Sequence, residues 1–153
     1  MSTHYPGTAV EITALDSYIK LSRATEVVTQ RIHSHLSAHQ LTISQFGVLE
    51  ALYHLGPMTV GQTGGKILRS SGNMTLVIDN LVKRGLVRRE PRPEDRRCIE
   101  IHLTAAGQAL IAQIMPQHVA GVVQTMAALT TEEQQQLAAL CKKLGLSVSR
   151  LVG

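Results

Sequence analysis

Residues 69–103 read RSSGNMTLVIDNLVKRGLVRREPRPEDRRCIEIHL. They parse into a helix, a stop, a short strand, a charged turn and a second strand. Ser70 and Ser71 are N-cap residues, whose hydroxyls accept from the free amides at a helix start. Met74, Val77, Ile78, Leu81 and Val82 follow at the spacing of one buried helix face. Gly85 stands where a left-handed residue closes such a helix. Leu86-Val87-Arg88-Arg89 and Cys98-Ile99-Glu100-Ile101-His102-Leu103 have the extended, alternating character of short strands. Pro91 to Arg97 reads as the turn between them, because proline has no amide to give to a ladder.

The same stretch carries the charge of the chain. From Lys83 to Arg97 stand seven cations (Lys83, Arg84, Arg88, Arg89, Arg92, Arg96 and Arg97) against Glu90, Glu94 and Asp95. That surplus of four equals the formal net charge of all 153 residues. A charge run by itself usually means a solvated turn. Beside a helix whose outer face carries Ser71, Asn73, Thr75, Asn80 and Lys83, it is the footprint of a protein that meets a polyanion. Those side chains suit base edges and phosphates.

Upstream, Thr42-Ile43-Ser44-Gln45 and Thr59-Val60-Gly61-Gln62 each have the form of a capping box. The first opens a helix with the apolar stripe Phe46, Leu49, Leu52 and Tyr53, stopped by Gly56-Pro57. The second opens a short helix to about Leu68. Its interior Thr63-Gly64-Gly65 is poor helix material, so tertiary packing must hold it, and it is the least firmly held part of the fold. Two helices joined by a tight turn, the second with a polar outer face, have the form of a helix-turn-helix. The two-stranded ribbon that follows is a wing. Arg97 or Arg96 near its tip suits a minor groove, and Asp95 is placed to orient the Arg97 guanidinium.

The flanks are helical. Leu15, Ile19, Val28, Ile32 and Leu36 form one stripe of a helix over residues 9–38. Thr104 caps a helix to about Leu129 that Pro116 should kink, and residues 130–134 open a last helix with Leu137, Leu140 and Leu144 on one side. These helices have more apolar face than one small chain covers, which points to a homodimer. The reading is thus a single domain, mainly α with a small two- or three-stranded β wing. Residues 42–103 form the winged helix-turn-helix lobe, and residues 9–40 and 104–150 a helical dimerisation region.

Composition narrows the function. Aromatic residues make up 3% of the chain with no Trp, which argues against stacking on single strands. Two cysteines, Cys98 and Cys141, make no disulfide framework. The amino terminus lacks a signal pattern, and polar residues interrupt the uncharged stretch between Glu100 and Glu132. A cytoplasmic protein with no membrane partner is expected. There is no Gly-rich phosphate loop, no GxSxG elbow and no paired-carboxylate or Cys/His arrangement at convincing spacing, so no enzyme and no cofactor are expected.

The order of these pieces resembles the MarR family of bacterial winged-helix regulators. The resemblance runs from about Leu21 to Leu144. It is carried by Leu41-Thr42-Ile43-Ser44-Gln45-Phe46-Gly47-Val48-Leu49, Ser71-Gly72-Asn73-Met74-Thr75, Ile78-Asp79-Asn80-Leu81, Lys83-Arg84-Gly85-Leu86-Val87, Pro93-Glu94-Asp95-Arg96-Arg97 and Leu103-Thr104. It implies a homodimer whose terminal helices interlock and whose lobes straddle a pseudo-palindromic double-stranded DNA operator. It also implies an Asp-x-Arg wing in which Asp95 orients Arg97 into the minor groove. Leu21-Ser22-Arg23-Ala24, Lys66-Ile67-Leu68, the wing and Met115-Pro116-Gln117-His118 are most similar to the branch that answers to quinones and related aromatic compounds. Thr63-Gly64-Gly65 departs from the family pattern.

The expected DNA contacts are Ser70, Ser71, Asn73, Thr75, Asn80, Lys83, Arg88, Arg89, Asp95, Arg96 and Arg97, with Arg88 and Arg89 anchoring phosphates. For a small aromatic effector the candidate handles are His33, Tyr53, His54 and His118, where the first, second and fifth helices meet. A zinc-responsive alternative would use His35 and His39, one helical turn apart, with His118. Cys98 and Cys141 are expected to be packing residues rather than redox sensors. A winged-helix module that binds an acidic protein is the alternative from another class.

Overall fold

The computed structural model describes residues 3–67 and 73–152, with side chains through Ser149. The elements, in order, are α1 (Ala9–His33), α2 (Ile43–Leu55), β1 (Met58–Thr59), α3 (Val60–Lys66), α4 (Met74–Lys83), β2 (Val87–Pro91), β3 (Ile99–Leu103), α5 (Ala105–Met126) and α6 (Thr131–Val152). They divide into two compact units, residues 33–118 and residues 1–32 with 119–153.

The 33–118 unit is a winged helix-turn-helix lobe. Its strands form a three-stranded antiparallel sheet in the order β1-β3-β2. Met58 pairs with Ile101, and Val87, Arg89 and Pro91 pair with Leu103, Ile101 and Ile99. Phe46, Val48, Leu49 and Leu52 of α2, Ile78 and Leu81 of α4, Val87 and Ile101 of the sheet, and Ile111 and Ile114 of α5 are buried in one core. Each such side chain contributes about 1.5–3 kcal/mol by leaving water. Both capping boxes form. Thr42 Oγ1 accepts from the Gln45 amide at 3.1 Å and Gln45 Oε1 from the Thr42 amide at 3.0 Å, and Thr59 and Gln62 repeat the pattern at 3.2 and 2.9 Å.

Several boundaries differ from the sequence reading. The first helix does not run to residue 38. It ends at His33 and tightens into a 3-10 turn, Ser34–His39, which buries Leu36 and ends on Gln40 at φ 54°. The Arg84 guanidinium collects the carbonyls left free there, donating to Gln40 O at 2.8 Å and His39 O at 3.1 Å. Ser70 and Ser71 lie outside the described residues, and so does Leu68; α4 is capped by Asn73, whose Oδ1 accepts from the Leu76 amide at 3.1 Å. Pro91 belongs to β2 rather than to the turn. It ends an edge strand, where a missing amide costs no ladder bond.

The exit from α4 follows expectation. Gly85 has φ 69°, its amide returns to Val82 O at 2.9 Å, and that of Leu86 to Leu81 O at 3.0 Å. These two bonds make the Schellman motif that favours glycine. Gly107 is a glycine for a different reason. A Cβ there would lie 2.0 Å from the Leu86 carbonyl oxygen, because α5 starts flush against the end of α4. Thr104 fastens that junction. Its hydroxyl donates to Gly85 O at 2.6 Å and accepts from the Gly107 amide at 3.0 Å.

The described residues of the other unit form helices and their connections, with no strand. Residues 9–32 of α1 contain no buried side chain. Thr130 and Glu133 form a third capping box at the start of α6. Tyr18 of α1, Val119 and Val123 of α5, and Leu140 and Leu144 of α6 are exposed. No described helix is long and apolar enough to cross a membrane.

Candidate nucleic-acid interface

Helix α4 presents its outer face through Thr75 and Lys83, both exposed, with Asn80 half-buried one turn before its end. Asn73 spends its side-chain oxygen on the helix cap. In the wing turn, Arg92 N donates to Cys98 O at 2.8 Å and Cys98 N to Asp95 O at 2.9 Å. The Asp95 carboxylate accepts from the backbone amide of Arg97 at 3.0 Å, not from its guanidinium. Its observed work is to shape the turn from which Arg96 and Arg97 project.

The seven cations of the basic run fall into two groups. Arg84 holds the 3-10 turn. Arg88 pairs with Glu90 and donates to Leu103 O at 2.7 Å, and Arg92 pairs with Glu100 at 2.8 Å. Arg89 reaches from β2 to Asp79 of α4 at 2.6 Å, so one expected phosphate anchor ties the wing to the helix. Glu90 and Glu100 lie directly opposite one another, with His102 Nε2 3.6 Å from a carboxylate oxygen of each. The Arg88 bond comes first among the causes that hold the Glu90 carboxyl below its ordinary range. Among the described residues, Lys83, Arg96 and Arg97 alone of the seven have no side-chain partner. They lie at the end of α4 and at the wing tip. Sequence reading missed the structural duties of Arg84 and Arg92. The carbonyls that Arg84 serves are 44 and 45 residues away, and no local pattern marks them.

A second cluster lies in the same unit. Around His118, 8% exposed, stand Phe46 at 4.6 Å, His35 at 5.4 Å and His33 at 5.6 Å between ring centroids. His118 Nδ1 is buried without a hydrogen-bond partner. Burial, then His33 and His35, hold its pKa below the ordinary 6.5. Of the expected effector handles, His33 and His118 meet here. Tyr53 and His54 form their own edge-on pair at 5.1 Å, without a ring contact to this cluster. No group of three His, Cys, Asp or Glu among the described residues has an arrangement that holds a metal ion. Cys98 is half-buried, as a packing residue would be, whereas Cys141 is exposed on α6.

The family model described as "MarR family" matches residues 41–99, which span α2, the helix-turn-helix and most of the wing. The transcriptional regulator MhqR of Bacillus subtilis is 34% identical over 137 residues, covering 90% of this chain and 94% of its own. The chain belongs to the MarR family. Among solved structures, the MarR-family regulator AbsC of Streptomyces coelicolor matches with a TM-score of 0.81 at 22% identity, over 96% of this chain and 99% of its own. BpsR of Bordetella bronchiseptica, whose DNA binding is regulated by 6-hydroxynicotinic acid, matches with a TM-score of 0.75 at 23% identity, over 95% of this chain and 98% of its own. The protein is therefore a MarR-type transcriptional regulator. Within that family frame, its basic run is in large part an internal scaffold.

Proposed function

We propose that this MarR-family regulator is a homodimeric repressor that binds a pseudo-palindromic operator and is released by a small aromatic ligand. The carrying observation is the division of the basic run. Cations that serve the fold are paired, while Lys83, Arg96 and Arg97 are left to a polyanion. In this reading Thr75 and Asn80 meet base edges, Lys83 meets phosphate, and Arg96 or Arg97 enters the minor groove. Asn73, Asp79, Arg88, Arg89 and Asp95 set the shape from which the others reach. For Ser70 and Ser71, outside the described residues, the proposed DNA contacts rest on sequence alone.

Anisotropy on the DNA upstream of the protein's own gene tests the proposal. Arg97→Ala is expected to weaken operator binding by about 1–3 kcal/mol at fixed salt. Unchanged affinity in that variant would remove the wing from the interface, and no binding at low salt would favour a module that contacts acidic proteins instead.

The effector site proposed is the His118 cluster. What supports an apolar ring bearing a hydroxyl or acid is the chemistry of the cluster, in which Phe46 offers an aromatic ring and His118 Nδ1 a hydrogen-bonding atom without a partner. BpsR gives one instance of this fold answering to a small aromatic acid. Ligand binding then favours a lobe spacing that no longer matches successive major grooves. Thermal-shift screening against quinones, phenols, salicylate and zinc, followed by operator release with each hit, discriminates the classes. Release by zinc alone would replace the aromatic reading with a metal one.

A further inference from the structure

Helix α4 buries Ile78 and Leu81 and half-buries Met74, Val77 and Val82 against the lobe. Leu76 belongs to neither this stripe nor the polar set. It is 53% exposed, and α4 turns it outward beside Thr75. Single exposed leucines are common on protein surfaces and need no account. The surroundings of this one are unusual. Asn80 stands one turn further on and Lys83 two turns on, the spacings that share a helix face. The carboxylate of α4, Asp79, is held by Arg89 at 2.6 Å, so its charge is balanced where a phosphate would approach.

An apolar side chain that shares a helix face with an amide and an ammonium, next to a hydroxyl, complements the floor of a B-DNA major groove. Phosphates there meet the cation and base edges meet the polar groups. The apolar feature that the groove offers is the C5-methyl of thymine. We infer that Leu76 reads a thymine methyl in each operator half-site. Asn80, whose amide suits adenine N6 and N7, lies close enough along α4 to read the same A·T pair or its neighbour. Leu76 is thereby a specificity residue, selecting thymine without a hydrogen bond. The inference rests on the operator-binding reading and adds the base that the helix selects.

The test removes one methyl group from the DNA and leaves the protein fold untouched. Duplexes selected from a random pool by the full-length chain serve as probes, and each thymine is replaced in turn by deoxyuridine. For the wild type, one thymine in each half-site is expected to lose about fourfold in affinity on replacement, the worth of one buried methyl. Leu76→Ala, an exposed change to a better helix former, is expected to bind the thymine and uracil duplexes alike. Equal binding of both by a wild-type chain that holds its selected duplex tightly would overturn this inference alone. An undiminished methyl effect in Leu76→Ala would overturn it too. Failure to select any duplex would overturn the operator-binding reading, and this one with it.

Discussion

His118 is an imidazole whose surroundings disfavour its charged form. It lies among Phe46, His33 and His35, and the causes acting on it are burial and those two imidazoles, with no carboxylate among them. Its folded pKa is below the ordinary 6.5, so near that pH the unfolded chain binds the proton more readily than the folded one. Stability from this group is therefore complete above about 6.5 and declines as the pH falls towards the folded pKa. Melting temperatures measured from pH 8 to pH 5 should show that decline in the wild type and a flatter profile in His118→Gln. An equally steep profile in the variant would assign the acid sensitivity to other groups.

At the scale of elements, junctions matter more than lengths. Gly107 lets α5 start against the Leu86 carbonyl, so Gly107→Ala should cost about 3 kcal/mol in urea unfolding, as overpacking at a fixed backbone does. Helix α3 is the opposite case. A Cβ at Gly64 or Gly65 would meet nothing within 4 Å, while Thr63 is fully buried and donates to Thr59 O at 2.8 Å. Gly64→Ala and Gly65→Ala should each stabilise the lobe by roughly 0.5–1 kcal/mol. A loss on either change would mean that α3 needs the looser backbone. The comparison of these glycines marks what sequence can reveal. The capping boxes at Thr42 and Thr59 and the left-handed Gly85 are local devices, and each was legible within a few residues. Gly107, Arg84 and the Asp79–Arg89 pair depend on partners brought in from elsewhere in the chain, so their residue types carried no readable sign. The proposed interface was legible only in outline, as a polar helix face beside a cationic wing. Which cations were already engaged was not.

For the whole molecule, the proposed homodimer turns on the exposed leucines of α6. Leu140 and Leu144 are 65% and 50% exposed in the single chain, a face that the proposed homodimer would cover. Leu140→Glu is expected to yield monomers in sedimentation and to lose most operator affinity, since one lobe alone forfeits the second half-site. A dimer that persisted through this change would place the interface elsewhere.

The strand order has a consequence of another kind. Both β1 and β2 pair with β3 and not with each other, and β3 is the last of the three to be synthesised. While the chain is emerging, the carbonyls and amides of β1 and β2 wait without a ladder, and the wing exists only as sequence. Completion of Leu103 supplies the central strand to both neighbours at once, so the lobe's sheet is gained in one event rather than strand by strand. A chain stopped before Ile99 should therefore lack the whole sheet, even though two of its three strands have been made.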